Sequence, residues 1–185
     1  VSRYLASLQG GVAGFLSRRS SKFRANLRRI ARRADEEGIT YEYLTDFSDD
    51  TPWDKVYQDI LTIEARSWKG QAGTGIVDDA MQRFYRNMIP RLATKGALRV
   101  LFLRKGDERI GFVFGGVWGQ VYRGLQLSYD NDWRSHSLGN LAQLRIVEHL
   151  CDEGVAWYDL GSELEYKARW AERTMETISL VIRRW

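Results

Sequence analysis

The sequence predicts an α/β domain with one central mixed β-sheet flanked by helices. Three observations lead there. Residues 97–104 (ALRVLFLR), 109–118 (RIGFVFGGVW) and 120–129 (QVYRGLQLSY) are strand-like runs joined by the short turns KGDE and WGQ, which makes an antiparallel meander. A helical period over 138–153 is followed by a short apolar run, 155–160 (VAWYDL), so strand–helix–strand over 120–160 implies a crossover onto a parallel neighbour. Amphipathic helices precede the meander, and their apolar faces need a sheet to cover.

The elements follow in order. Residues 1–16 (VSRYLASLQGGVAGFL) are apolar but broken by Gly10, Gly11 and Gly14, and read as a short helix and a loop, or as an arm that needs a partner. Residues 17–37 form a helix that Ser17, Ser20 or Ser21 could cap, with Phe23, Leu27, Ile30 and Ala34 inward, and Gly38 ends it. Residues 39–46 alternate as a strand. Residues 52–69 are a helix with Pro52 near its first turn, lined by Val56, Ile60, Ile63 and Trp68. After the breaks at Gly70, Gly73 and Gly75, a helix over 77–95 presents Met81, Phe84, Tyr85, Met88 and Leu92. Beyond 160 the sequence predicts a short helix over 163–171 and a last strand over 175–184. We divide the chain into an arm and basic helix, 1–38, as a possible inter-domain element, and the domain proper, 39–185.

Composition narrows the chemistry. The single cysteine, Cys151, lies in an apolar helical pattern, so a disulfide framework and a four-cysteine zinc site are excluded, and no metal site is expected. No run of 18 apolar residues occurs, and a cytoplasmic location is the default. Residues 18–33 hold eight basic residues and no acid; the remainder has 20 basic against 24 acidic residues. The net charge of +4 therefore belongs to one helix. The chain opens on Val1 rather than Met, as a fragment or processed product would.

The segment Tyr129–Leu141 (YDNDWRSHSLGNL) is a strand, a polar loop and a helix start. Free amides and the helix dipole at such a start favour a phosphate, although an ordinary crossover helix has the same pattern. Three further segments carry a resemblance: SRRSSKFRANLRR (17–29), EARSWKG (64–70) and YDLGSELEYKARWA (158–171). In this order they resemble the GNAT acyltransferase superfamily, in particular its FemAB-like and cellulose-biosynthesis (CelD/BcsL-type) branch.

The resemblance implies an acyl-CoA-dependent N-acyltransferase, with coenzyme A or acetyl-CoA as co-substrate and an amine-bearing acceptor such as a sugar, a polysaccharide precursor or a small amine. It also implies a second GNAT-like domain upstream. The CoA side would comprise the backbone near Leu127 and Tyr129, then Arg134, His136, Ser137, Leu138, Gly139 and Asn140. Only Gly139 matches the superfamily's phosphate-loop pattern, while Ser137-Leu138-Gly139 is close to the branch's looser form. Tyr166 would be the acid for the departing thiolate and Asp159 the base, with Glu64 and Glu163 behind it. Trp68, Lys69 and Lys167 would shape the acceptor side. Each has a structural alternative: a cap or a partner of Lys167 for Asp159, packing for Tyr166 and Trp68, a surface ion pair for Lys167, and solvation for His136. Rival functions are a transferase using aminoacyl-tRNA, a nucleic-acid or anionic-surface module built on helix 18–33, and a degenerate half that supports a partner domain.

Overall fold

The computed structural model describes residues 2–47, 52–178 and 180–183. Seven strands form one sheet in the order β2-β3-β4-β5-β6-β1-β7. They are β1 (Ser2–Ser7), β2 (Ile39–Leu44), β3 (Leu98–Lys105), β4 (Glu108–Trp118), β5 (Val121–Tyr129), β6 (Trp157–Ser162) and β7 (Arg173–Glu176). Every pairing is antiparallel except β5 with β6, which is parallel as the crossover requires. The helices are α1 (Gly11–Ser17), α2 (Ser21–Glu36), α3 (Trp53–Arg66), α4 (Trp68–Gln71), α5 (Asp79–Thr94) and α6 (Leu138–Asp152).

Helices cover both faces of the sheet. On one face Phe15 of α1, Phe23, Leu27 and Ile30 of α2, and Leu144 and Val147 of α6 pack with Leu101, Val113 and Tyr122. On the other, Val56, Tyr57 and Ile60 of α3 and Tyr85 and Ile89 of α5 pack with Phe102, Phe112 and Phe114. The mixed sheet with helices on both faces is the predicted class.

Several local expectations need correction. Residues 2–7 are neither helix nor free arm. They form β1, inserted between β6 and β7, because the alternating run Ser-Arg-Tyr-Leu-Ala-Ser fills an open slot in the sheet. The helix expected over 17–37 divides into α1 and α2 at Arg18–Ser20, where the Ser20 hydroxyl accepts from the Phe23 amide at 3.2 Å and starts a new helix. Residues 52–69 divide likewise, Ser67 capping α4. On α5 the expected Tyr85, Met88 and Leu92 do face the core, together with Ile89, while Met81 and Phe84 are exposed. The segment expected as a helix over 163–171 is a short 3-10 turn, Glu165–Arg169. The last strand stops at Glu176: beyond it Ile178, Leu180, Val181 and Ile182 are exposed and, among the described residues, without a ladder partner, while Ser179, Arg184 and Trp185 lie outside the described residues.

The basic helix α2 buries the expected stripe, Phe23, Leu27, Ile30 and Ala34. Many of the cations around it have internal partners. Arg18 donates to the Ser7 carbonyl at 2.7 Å, and Arg19 is buried, ion-paired with Glu172 and stacked over Phe15. Arg24 donates to the Arg19 carbonyl, Arg32 pairs with Glu36, and Arg33 pairs with Glu37. Trp170, buried between Phe15 and Phe23, closes the same cluster from the far end of the chain.

Candidate active site

Strands β5 and β6 pair at three positions only: Val121 with Trp157, Tyr122 with Tyr158 and Arg123 with Asp159. Beyond these, Gly124–Tyr129 continue along β4, whereas Gly161 and Ser162 pair with Tyr4 and Arg3 of β1. The sheet therefore opens into a notch between the two parallel strands. A register shift of β5 against Gly115 bends the strand at this point. Gly124 is required at the root, since a Cβ there would lie 2.9 Å from the Tyr158 ring. Tyr158 is itself buried and donates to Gln143 at 3.0 Å.

At the far end of β5 the chain passes through a 3-10 turn, Asn131–His136, into α6. Ser137, at φ 56° and ψ 37°, is the only non-glycine in the left-handed region among the described residues. A left-handed residue between right-handed turns aims successive amides into one concavity. No side chain caps α6, and the amides of Leu138 and Gly139 have no partner within the helix. A group with several anionic oxygens fits such a place. Ser137 already carries the roughly 1–2 kcal/mol that an L-residue costs in this region, so Ser137→Gly, which removes that cost against about 0.5–1 kcal/mol of extra chain entropy, is expected to raise stability slightly, and the β-branched Ser137→Val to lower it. Urea unfolding of the two variants checks this.

The other residues expected here are placed unevenly. A Cβ on Gly139 would sit 3.4 Å from the Tyr129 ring and 3.5 Å from Leu127, ordinary contact distances, so these side chains lie against the start of α6. Leu138 is buried and Asn140 half-buried at the helix start. His136 points away from the α6 amides: its Nε2 lies 2.9 Å from Glu37 and its Nδ1 3.0 Å from the Ser135 hydroxyl. Arg134 is exposed.

Asp159 lies at the root of the notch, 3% exposed. One of its oxygens accepts from Arg123 at 2.6 Å and from the Gly161 amide at 2.9 Å; the other pairs with Arg3. Lys167 is not its partner; that ammonium donates to the Ser162 carbonyl at 3.3 Å. Tyr166, on the 3-10 turn after β6, is half-exposed, and partial burial pushes its phenol up. The Lys167 ammonium lies 5.8 Å from its ring centre, which keeps these two side chains together. Burial, with the nearby Arg123 and Lys69, pulls the Lys167 ammonium down, against the opposing pull of Asp159.

Lys69 enters the notch from α4 and donates to the Leu127 carbonyl at 2.9 Å, with the fully buried Glu64 at 3.4 Å. Glu64 also accepts from the Ile76 amide at 3.3 Å. Trp68 is exposed rather than packed. Tyr85, held up by burial, accepts from Gln126 at 3.1 Å on the same side. The structure thus brings Asp159, Tyr166, Lys167 and Lys69 to one notch, with Ser137–Asn140 at its outer end. Arg3 and Arg123 escaped notice in the sequence. An arginine in the strand run VYRGLQ was a usable signal; Arg3, in a supposed arm, offered none.

Cavities of about 660 and 410 Å3 lie elsewhere, one along Lys22, Asn26, Arg29 and Arg169, the other along Asp59, Arg66 and Arg109. Among the described residues no cluster of His, Cys, Asp and Glu could hold a metal, and no helix is long and apolar enough to cross a membrane.

The fold is shared with proteins of low sequence identity. The structure of FemX aligns with a TM-score of 0.63 at 12% identity, covering 88% of this chain and 53% of that one. L-PGS from Bacillus licheniformis aligns at 0.56 and 14%, covering 86% and 44%. An aminoglycoside acetyltransferase from an uncultured soil metagenomic sample aligns at 0.54 and 11%, covering 81% and 99%. The chain spans about half the length of the first two. No curated protein matches in sequence. The family model for the acetyltransferase (GNAT) domain matches residues 21–168, most of the chain, and includes the meander, the notch, α6 and the turn bearing Tyr166. The chain belongs to the acetyltransferase (GNAT) domain family.

Proposed function

We propose that the chain transfers an acyl group from an acyl-CoA thioester, acetyl-CoA being the first candidate, to an amine. The observation that carries this reading is the notch between β5 and β6 with an uncapped α6 N-terminus at its outer end. The donor's phosphates would rest on the amides of Leu138 and Gly139, with Asn140, whose own amide donates to the Ser137 carbonyl at 3.0 Å, next in the turn. Its chain would lie along the unpaired side of β5 near Leu127 and Tyr129. When bound, the donor supplies an activated thioester carbonyl. His136, engaged with Glu37, takes no part, and Arg134 remains available at the rim.

The protein's own groups would do the following. Tyr166, kept as a phenol by partial burial, donates a proton to the departing thiolate. The acceptor must arrive as a free amine. Lys69, Lys167 and Arg123 would all disfavour an ammonium beside them, because like charges oppose the charged form. The notch therefore promotes loss of the ammonium's proton to water before attack, and the proton released from nitrogen as the amide forms restores the Tyr166 phenol. Asp159 is better suited to fixing Arg3 and Arg123 than to taking that proton, since three donors already occupy its oxygens. We place the reaction in the cytoplasm, where a lone, half-buried Cys151 is ordinary. The CelD/BcsL-type branch and a second GNAT-like domain belong to the same proposal. The aminoacyl-tRNA and nucleic-acid readings are less supported, because Arg18, Arg19, Arg24 and Arg33 of the basic segment are turned to internal partners.

Calorimetric titration with CoA tests the reading, and absence of binding at millimolar CoA would refute it. Asn140→Asp gives a sharper check. A carboxylate in the first turn stabilises a helix by about 0.3–1 kcal/mol, yet it repels phosphates held at the same amides. We expect a slightly raised melting temperature with about tenfold weaker CoA binding, a loss of about 1.4 kcal/mol.

A further inference from the structure

The cations of the notch stand on both lips and at the root. Lys69 holds the Leu127 carbonyl on the β5 lip at 2.9 Å, and Lys167 holds the Ser162 carbonyl on the β6 lip at 3.3 Å. Arg123 belongs to the last residue pair before the strands part, and its guanidinium lies against Gly161. Arg3 reaches the same root through Asp159. Two carboxylates face these four cations, Glu64 beside Lys69 and Asp159 between the arginines, which leaves two positive charges in excess.

This excess is separate from the phosphate cradle of α6. Leu127 and Tyr129 turn towards Gly139 and pack with α6. Gln126, alternating with them on β5, turns to Tyr85 of α5, the side from which Lys69 also enters. The donor's phosphates at α6 therefore do not neutralise the lysines. Excess like charge in a partly enclosed notch is costly unless a ligand compensates it. Lys69 is ion-paired with the buried Glu64 at 3.4 Å, whereas Lys167 donates to the Ser162 carbonyl and lies 5.8 Å from the Tyr166 ring, with no carboxylate in ion-pair contact among the described residues.

We propose that the acceptor is an amine that also carries an anionic group, a carboxylate or a phosphate, held by Lys69 and Lys167 while its amine reaches the donor carbonyl. This rests on the acyltransferase reading for the amine but not for the anion. The same two lysines would bind the anion and lower the proton affinity of the neighbouring amine, so recognition and activation share one cause. Lys167 is a binding residue in this scheme, and Arg123 a positioning residue for the notch root.

The test uses matched pairs of amines with the 185-residue protein: phosphoethanolamine against ethanolamine, and β-alanine against propylamine. Binding is measured by calorimetry, with and without CoA, and acyl transfer from acetyl-CoA by release of free thiol. We expect the anionic member of at least one pair to bind about tenfold more tightly, as one charge-assisted contact provides. The pair that shows the preference tells phosphate from carboxylate. Lys167→Met should shrink the preference, Lys167→Arg should restore most of it, and added salt should weaken it. Equal binding of both members in both pairs, or a preference that survives Lys167→Met and Lys69→Met together, overturns the proposal even if acyl transfer is observed. Tighter anion binding without acyl transfer would support the anion site and count against the acyltransferase reading instead.

Discussion

Asp159→Ala is expected to cost about 3 kcal/mol of stability, towards the low end of what removing one partner of a buried ion pair costs. The carboxylate is 3% exposed and its oxygens serve Arg3, Arg123 and the Gly161 amide, so its loss strands two guanidiniums at the root of the notch. The penalty stays at the low end because the arginine side chains keep 24% and 39% of their exposure and can recover water. For a chain of this length the loss corresponds to a fall of about 6–12 °C in melting temperature. Turnover of the fraction that remains folded should fall far less than a missing base would dictate. Differential scanning calorimetry alongside single-turnover kinetics separates the alternatives. An unchanged melting temperature with a hundredfold or greater loss of rate would make Asp159 the base after all.

This residue shows where the sequence was legible and where it was not. Its position at the end of β6, its neighbour Gly161 and its arrival at the cleft could all be read from YDLGS. Its partners could not. Arg3 is 156 positions away, on a strand whose glycine-broken surroundings suggested a loose arm. Local periodicity identified the meander, α2 and α6 because their apolar patterns are long and regular. It missed β1 and misplaced the bounds of β7, which are short and depend on each other: β1 has a strand on both sides only because β7 returns to it. The phosphate cradle was legible as a strand–loop–helix unit. The left-handed Ser137 was not, since that region is normally occupied by glycine. Likewise, the engagement of His136 with Glu37 depends on α2 lying beside the loop, a contact that no spacing in the sequence encodes.

Tyr166→Phe is expected to lower the rate of acyl transfer by roughly a hundred- to ten-thousand-fold, the usual worth of a general acid, with little change in CoA affinity or stability. The phenol is suited to this role by position and protonation together. It stands on the 3-10 turn that follows β6, with its ring half-exposed and 5.8 Å from the Lys167 ammonium. Partial burial raises it above its ordinary value, so it carries its proton throughout the neutral range. A thiolate leaving at the notch root would find a donor there, whereas Tyr158 is already donating to Gln143 and Tyr122 is fully buried. Loss of one hydroxyl from a half-exposed ring removes no core volume, so unfolding should be nearly unaffected. The rate deficit should shrink for thioesters whose thiols are more acidic, because a better leaving group needs less help from an acid. If Tyr166→Phe lost no more than threefold with acetyl-CoA, or lost the same factor with every thioester, the acid would lie elsewhere and Tyr166 would serve only to line the notch.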